Sequence, residues 1–229
     1  MKRSEINYYM RESIKFLDEC KFYLPKFAFW MLDEWKSKGE EVKEIIKNQL
    51  GWDITDYGQG DFSKIGLIHF TIRNGNLEDI DKGGKNYFEK VMILEEGQKL
   101  PMHFHFKKGA DIINRGVGIL LVQVYNPTED VKLANTPVTV SVDGVKVTAD
   151  AGESIVLIPG ESIYLLSHLF HRFWIKEATG KTLIGEVSSV NDDKIDNYLL
   201  GEVGRFPEVD EDEEPLHILC SDYEKLLKL

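Results

Sequence analysis

Residues 97–108 read GQKLPMHFHFKK, and the alternation inside this stretch decides the fold class. Along a β-strand, residues i and i+2 share a face. His103 and His105 therefore stand side by side, about 7 Å apart, while Met102, Phe104 and Phe106 fill the opposite face. Outward from this stretch the same short-strand pattern repeats. GLIHFTIRNG (66–75) and FEKVMILEE (88–96) precede it. GILLVQVYN (118–126), VTVSVDG (138–144), VKVTADAG (145–152), SIVLIPG (154–160), SIYLLS (162–167), HRFWIKE (171–177) and TLIGEVSSV (182–190) follow. Turn pairs separate them at Glu96-Gly97, Asp143-Gly144, Ala151-Gly152 and Pro159-Gly160, and Asn74-Gly75 is a strong hairpin signal. Short strands with turns at this spacing predict a mainly β protein, an antiparallel sandwich or barrel.

Residues 1–50 differ in character. Ile6, Tyr9, Met10, Ile14 and Leu17 recur at spacings of three and four, which predicts a helical N-terminal segment. Pro25 interrupts the pattern, Phe27 to Leu32 resume it, and DITDYGQG (53–60) reads as a turn-rich break. The whole chain reads as a single domain over 1–229, with the helical segment packed on a barrel spanning 66–220. At 229 residues it can bury a core without disulfide staples. Two cysteines, Cys20 and Cys220, are too few for a thiolate metal site and read as free thiols. The first residues, MKRSEINYYMRESIKF, lack the apolar run of a secretory signal, and no stretch approaches a membrane span. A formal charge of −11 argues against nucleic-acid binding. Much of the acidity lies in one run, EVDEDEE (208–214).

Two imidazoles on one strand face can converge on a divalent cation. A third ligand must come from another strand, and His171 in LFHRFW is the first candidate. His168 competes for the place, and in an extended segment only one of the two can point inward.

The segments GQKLPMHFHFKK and PGESIYLLSHLFHRFW together resemble the two motifs of the cupins. More narrowly, LGWDITDYG, FTIRNG, YFEKVMILEEGQKLPMHFH, DIINRG, PGESI, EVSSVNDD and RFPEVDEDEEP resemble the bacterial D-lyxose isomerase family. That resemblance implies a cupin, a jelly-roll-like antiparallel β-barrel, working as a cytoplasmic homodimer. It implies an aldose–ketose isomerase that interconverts D-lyxose with D-xylulose, and D-mannose with D-fructose, using Mn²⁺ or a similar ion (Co²⁺, Fe²⁺, Ni²⁺ or Zn²⁺). Its metal histidines fall on His103, His105 and His171, which settles the competition with His168.

One position departs from the family pattern. Where the family carries a glutamate ligand, HFHFKKGADIINRG places Ala110, with Asp111 directly after it. A methyl group cannot coordinate a metal, so the literal reading is three histidines completed by water. Interconverting aldose and ketose also needs a proton relay between C1 and C2. Lys108 and, by its place in the resembling segment, Glu211 are the expected catalytic groups. Arg205, Glu186, Lys90 and Trp174 are the expected sugar-binding groups, Trp174 by stacking on an apolar C–H face. The competing readings are another metal-dependent cupin enzyme and a non-catalytic or weakened sugar-binding cupin.

Overall fold

The computed structural model describes residues 1–193, 195–201, 204 and 207–227. Thirteen strands occur among them: β1 Gly51–Thr55, β2 Leu67–Asn74, β3 Tyr87–Leu94, β4 His103–His105, β5 Ala110–Val117, β6 Leu120–Tyr125, β7 Val138–Val142, β8 Val145–Ala149, β9 Ser154–Leu157, β10 Ser162–Leu165, β11 Phe170–Ile175, β12 Thr182–Ser189 and β13 Asn197–Leu199. They form two antiparallel sheets. One has the order β1-β2-β3-β12-β5-β10-β7-β8 and the other β13-β4-β11-β6-β9. The inward residues of both sheets make one apolar core, with Leu94, Ile112, Val140, Ile163 and Ile184 from the first meeting Val122, Leu157, Phe173 and Ile175 from the second. Each fully buried side chain of this kind contributes about 1.5–3 kcal/mol. The expected mainly β, cupin-like barrel with an N-terminal helix is what the chain forms.

The strands of the β1-β2-β3 end are buried on both faces. Helix α1 (Arg3–Glu19) lays Ile6, Met10 and Leu17 against Trp52, Ile54, Ile68, Phe70, Val91 and Ile93. Hence β1 reads as continuously buried instead of alternating. The helical expectation for 1–50 is met only in part. After α1 the segment breaks into two single-turn helices, α2 (Leu32–Lys36) and α3 (Lys43–Lys47), with 3₁₀ turns before each. Two further expectations change. Residues 53–55 of the supposed turn-rich break belong to the edge strand β1, and Asn74-Gly75 is not a two-residue hairpin turn. β2 and β3 do pair, but a 3₁₀ turn over Leu77–Lys82 connects them. Glycine stands at 75 because a Cβ there would lie 1.8 Å from the Lys85 carbonyl oxygen. The Asp143-Gly144 pair behaves as predicted. Both residues have positive φ (47° and 82°) and close the β7–β8 hairpin.

The acidic run closes on α1. Asp212 accepts hydrogen bonds from the Ser4 amide (2.8 Å) and hydroxyl (2.7 Å), Asn7 Nδ2 donates to Glu213 (2.7 Å), and the fully buried Arg3 donates to Glu211. Carboxylates gathered at a helix N-terminus complement its dipole and its unpaired amides. Nearby, the last helix, α4 (Tyr223–Leu227), is pinned by the Tyr223 hydroxyl donating to the Leu50 carbonyl at 2.7 Å.

Candidate metal and active site

Strand register brings the histidines together. β4 pairs with β11 so that His103 lies directly opposite His171, and alternation sends His105 to the same face. Ring centroids are 4.2 Å apart for His103 and His171, 5.3 Å for His103 and His105, and 5.4 Å for His105 and His171. One nitrogen from each lies within 4.8 Å of the others. The opposite face of both strands is occupied by Met102, Phe104 and Phe170 packed with Tyr198. That packing fixes which way the histidines turn. His168 sits just before β11 at φ 62° and stacks on Phe104, so it belongs to the outer side.

Three properties suit these imidazoles to a divalent cation. First, Nδ1 of His103 donates to the Pro101 carbonyl (2.9 Å) and Nδ1 of His171 to the Leu169 carbonyl (2.8 Å), which leaves each Nε2 with its lone pair free. Second, burial pushes His103 down to about pH 4 and drives His105 and His171 well below the ordinary histidine range. All three are therefore neutral near pH 7, the form that coordinates. Third, His105 has a buried Nδ1 with no hydrogen-bond partner among the described residues, an arrangement that a ligand would relieve. The donor set fits a divalent transition metal.

Facing the histidines, the larger sheet presents Glu186 on β12 and Lys90 on β3, paired in register. Lys90 Nζ lies 2.9 Å from Glu186 Oε2, and Lys108 Nζ lies 2.5 Å from Oε1. All three groups are buried. Burial alone would raise the Glu186 carboxyl, but the Lys108 and Lys90 ammonium charges override it and hold the group well below the usual carboxylate range. Lys108 also donates to Asn191 Oδ1 at 2.6 Å, and the Asp196 carboxylate accepts from the Lys107 amide at 2.7 Å. The loop after β4 is thus tied to the segment after β12. The cavity beside the histidines is tight, about 40 Å³, and shares Asp193 with a larger cavity of about 580 Å³.

The other expected residues are placed as follows. Glu211 does not line the histidine cavity; its carboxylate is engaged by Arg3 (2.8 and 2.9 Å) and Lys225 (2.7 Å). The sequence offered it by its place in the resembling segment, within an acidic run that here anchors α1. Trp174 is also turned away. It lies three residues after His171, an odd spacing that puts it on the outer face of β11, where Lys99 Nζ sits 3.7 Å from the ring centroid. Ala110 is buried on β5 and shares the face of Ile112, which lines the histidine cavity. Asp111 takes the opposite face, paired with Tyr164 and Val187, so it does not replace a ligand at 110. Arg205 lies outside the described residues. Sequence reading did not single out Asn191, Asp193 or Asp196, because polar residues in a segment between strands carry no periodic signal.

The D-lyxose isomerase family model matches residues 1–223. A D-lyxose/D-mannose isomerase of Serratia proteamaculans is 41% identical over 228 residues, covering 97% of this chain and 98% of the relative. One of Escherichia coli O157:H7 is 40% identical over 224 residues, with the same coverage. Among solved structures, an L-ribose isomerase of Cellulomonas parahominis with L-ribose has a TM-score of 0.60 at 13% identity, covering 92% of this chain and 98% of that one. That of Acinetobacter sp. DL28 has a TM-score of 0.59 at 14% identity, covering 91% and 98%. The latter two establish the shared fold. Matched along nearly its whole length, the chain belongs to the D-lyxose isomerase family, a family of sugar isomerases.

Proposed function

We propose that this protein interconverts D-lyxose with D-xylulose, and D-mannose with D-fructose, using a divalent metal held by His103, His105 and His171. The observation that carries the reading is a buried carboxylate, Glu186, clamped by two lysines in the cavity that the three imidazoles line. A bound ion would supply Lewis-acid polarisation of the sugar's carbonyl oxygen. Mn²⁺ is the first choice and Co²⁺, Fe²⁺, Ni²⁺ and Zn²⁺ are alternatives, since imidazoles accept all of them.

Glu186 is the proton relay in this reading. Ionised by its lysine neighbours, it takes the proton from C2 of the aldose. The C2–H electron pair becomes the C1–C2 double bond and the carbonyl oxygen takes a proton from the Lys108 ammonium, giving a cis-enediol. Glu186 then returns its proton to C1 while the C2 hydroxyl gives its own back to Lys108, which leaves the ketose with no net oxidation. Lys108 and Lys90 donate to the oxygens on which negative charge develops, and turning toward them leaves Glu186 the more basic. This assigns to Glu186 the role that sequence reading gave to Glu211. Ala110 means that the metal is held by three protein ligands and water, so it binds more weakly than a four-ligand site would. A homodimeric, cytoplasmic enzyme is part of the same reading.

Metal-stripped protein should gain D-lyxose isomerase activity when Mn²⁺ is added. Glu186→Gln should lower kcat by about 10³-fold or more while Mn²⁺ still binds, and His171→Ala should lose tight Mn²⁺ binding. Absence of turnover of D-lyxose and D-mannose in the wild type, or full activity of Glu186→Gln, would refute the reading.

A further inference from the structure

We propose a second divalent-cation site, separate from the three histidines, formed by Asp53, His69 and Asp193. Asp53 and His69 are cross-strand partners on β1 and β2, each only 2% exposed, and Asp193 comes from the segment after β12. One ligand atom from each lies within 4.8 Å of the others, the same closeness that the three histidines show.

The distances favour a shared ion. His69 Nε2 lies 3.4 Å from Asp53 Oδ2. That is long for a settled N–H···O bond, which centres near about 2.9–3.0 Å. It is the separation of two neighbouring ligands on one ion, which at about 2.1 Å from the metal stand about 3.0–3.5 Å apart. Asp53 is also oriented for the task. Its Oδ1 accepts from the Ile54 amide at 2.9 Å, which points Oδ2 at His69.

The three residues line the cavity of about 580 Å³. Asn48 lines the same cavity with a buried Oδ1 that has no partner among the described residues, a further oxygen of the kind that completes a hard-ion shell. Two carboxylates with one imidazole make a harder donor set than three imidazoles, one suited to Mn²⁺. An ion held there would join β1, β2 and the segment that carries Asn191, the acceptor of Lys108, and so brace one wall of the histidine cavity.

Mn²⁺ titration of the metal-stripped full-length protein, followed by loss of the free-ion paramagnetic resonance signal, tests this. Wild type should bind two equivalents, and His171→Ala should keep one. His69→Leu, which preserves volume, and Asp193→Asn, a milder change at a half-buried position, should each remove the second equivalent, weakening it by more than about a hundredfold, and keep the first. A His171→Ala protein that remains folded yet binds no Mn²⁺ would overturn the second site, whether or not the wild type isomerises D-lyxose. So would two equivalents undiminished in both His69→Leu and Asp193→Asn.

Discussion

Replacing Glu211 with glutamine separates an anchoring role from a chemical one. The carboxylate binds Arg3 through both oxygens and Lys225 through one. The Arg3 side chain is fully buried, and its other ion pair is to Asp222 at 2.8 Å. The Arg3 hydrogen bonds are the main cause that holds the Glu211 carboxyl down at about 2, from an ordinary 4.5. That depression corresponds to roughly 3 kcal/mol as an upper bound. Glu211 is 37% exposed, and solvent screening reduces the figure to about 1–2 kcal/mol. For a chain of this size that predicts a Tm lower by about 2–8 °C at neutral pH. The sign with pH follows from the depressed value. The stabilisation is fully present above about pH 4.5 and is lost as pH falls toward about 2, so the variant should show a shallower acid slope than wild type. The assay is thermal unfolding from pH 7 to 3, paired with D-lyxose turnover. kcat should stay within about twofold of wild type, because the residue touches neither the histidines nor Glu186. A fall in kcat of about a hundredfold with Tm unchanged would refute the reasoning and restore Glu211 as the base.

Three further outcomes follow from the geometry. Ala110→Glu should raise Mn²⁺ affinity about tenfold or more by calorimetry, and should lower the Tm of the metal-free protein because an unpaired buried carboxylate is costly, with added Mn²⁺ restoring it. An unchanged affinity would show that position 110 does not face the ion. Lys108→Met should reduce kcat about a hundredfold and move the acidic limb of the kcat/KM profile to higher pH, since the carboxyl it holds down would rise; an unmoved limb counts against Glu186. Asn114, fully buried, donates to the Gly118 and Leu157 carbonyls and accepts from the Gly116 amide. Asn114→Ala should cost about 3 kcal/mol at about 1 kcal/mol per bond, read as a Tm lower by about 6–12 °C.

Much of this protein is legible without coordinates, because strand alternation is a local rule. His-x-His in a strand puts two imidazoles on one face whatever the partners are, and the odd spacing from His168 to His171 leaves only one able to join them. The same rule, applied three residues onward, turns Trp174 outward, against the sugar-stacking role expected of it. What alternation cannot supply is which faces meet. That His103 stands opposite His171, and that Glu186 reaches Lys90 across one ladder and Lys108 from a loop, depends on register between strands far apart in sequence. The acidic run shows the limit from the other side: its composition says only that it is charged. Arg3 is buried beside it and pairs with Glu211, which anchors α1, and only the tertiary structure brings residues 3 and 211 together. Asp53, His69 and Asp193 are equally scattered along the chain. They form a cluster because β1 pairs with β2 and the segment after β12 folds over them, a consequence of long-range packing that no local pattern encodes.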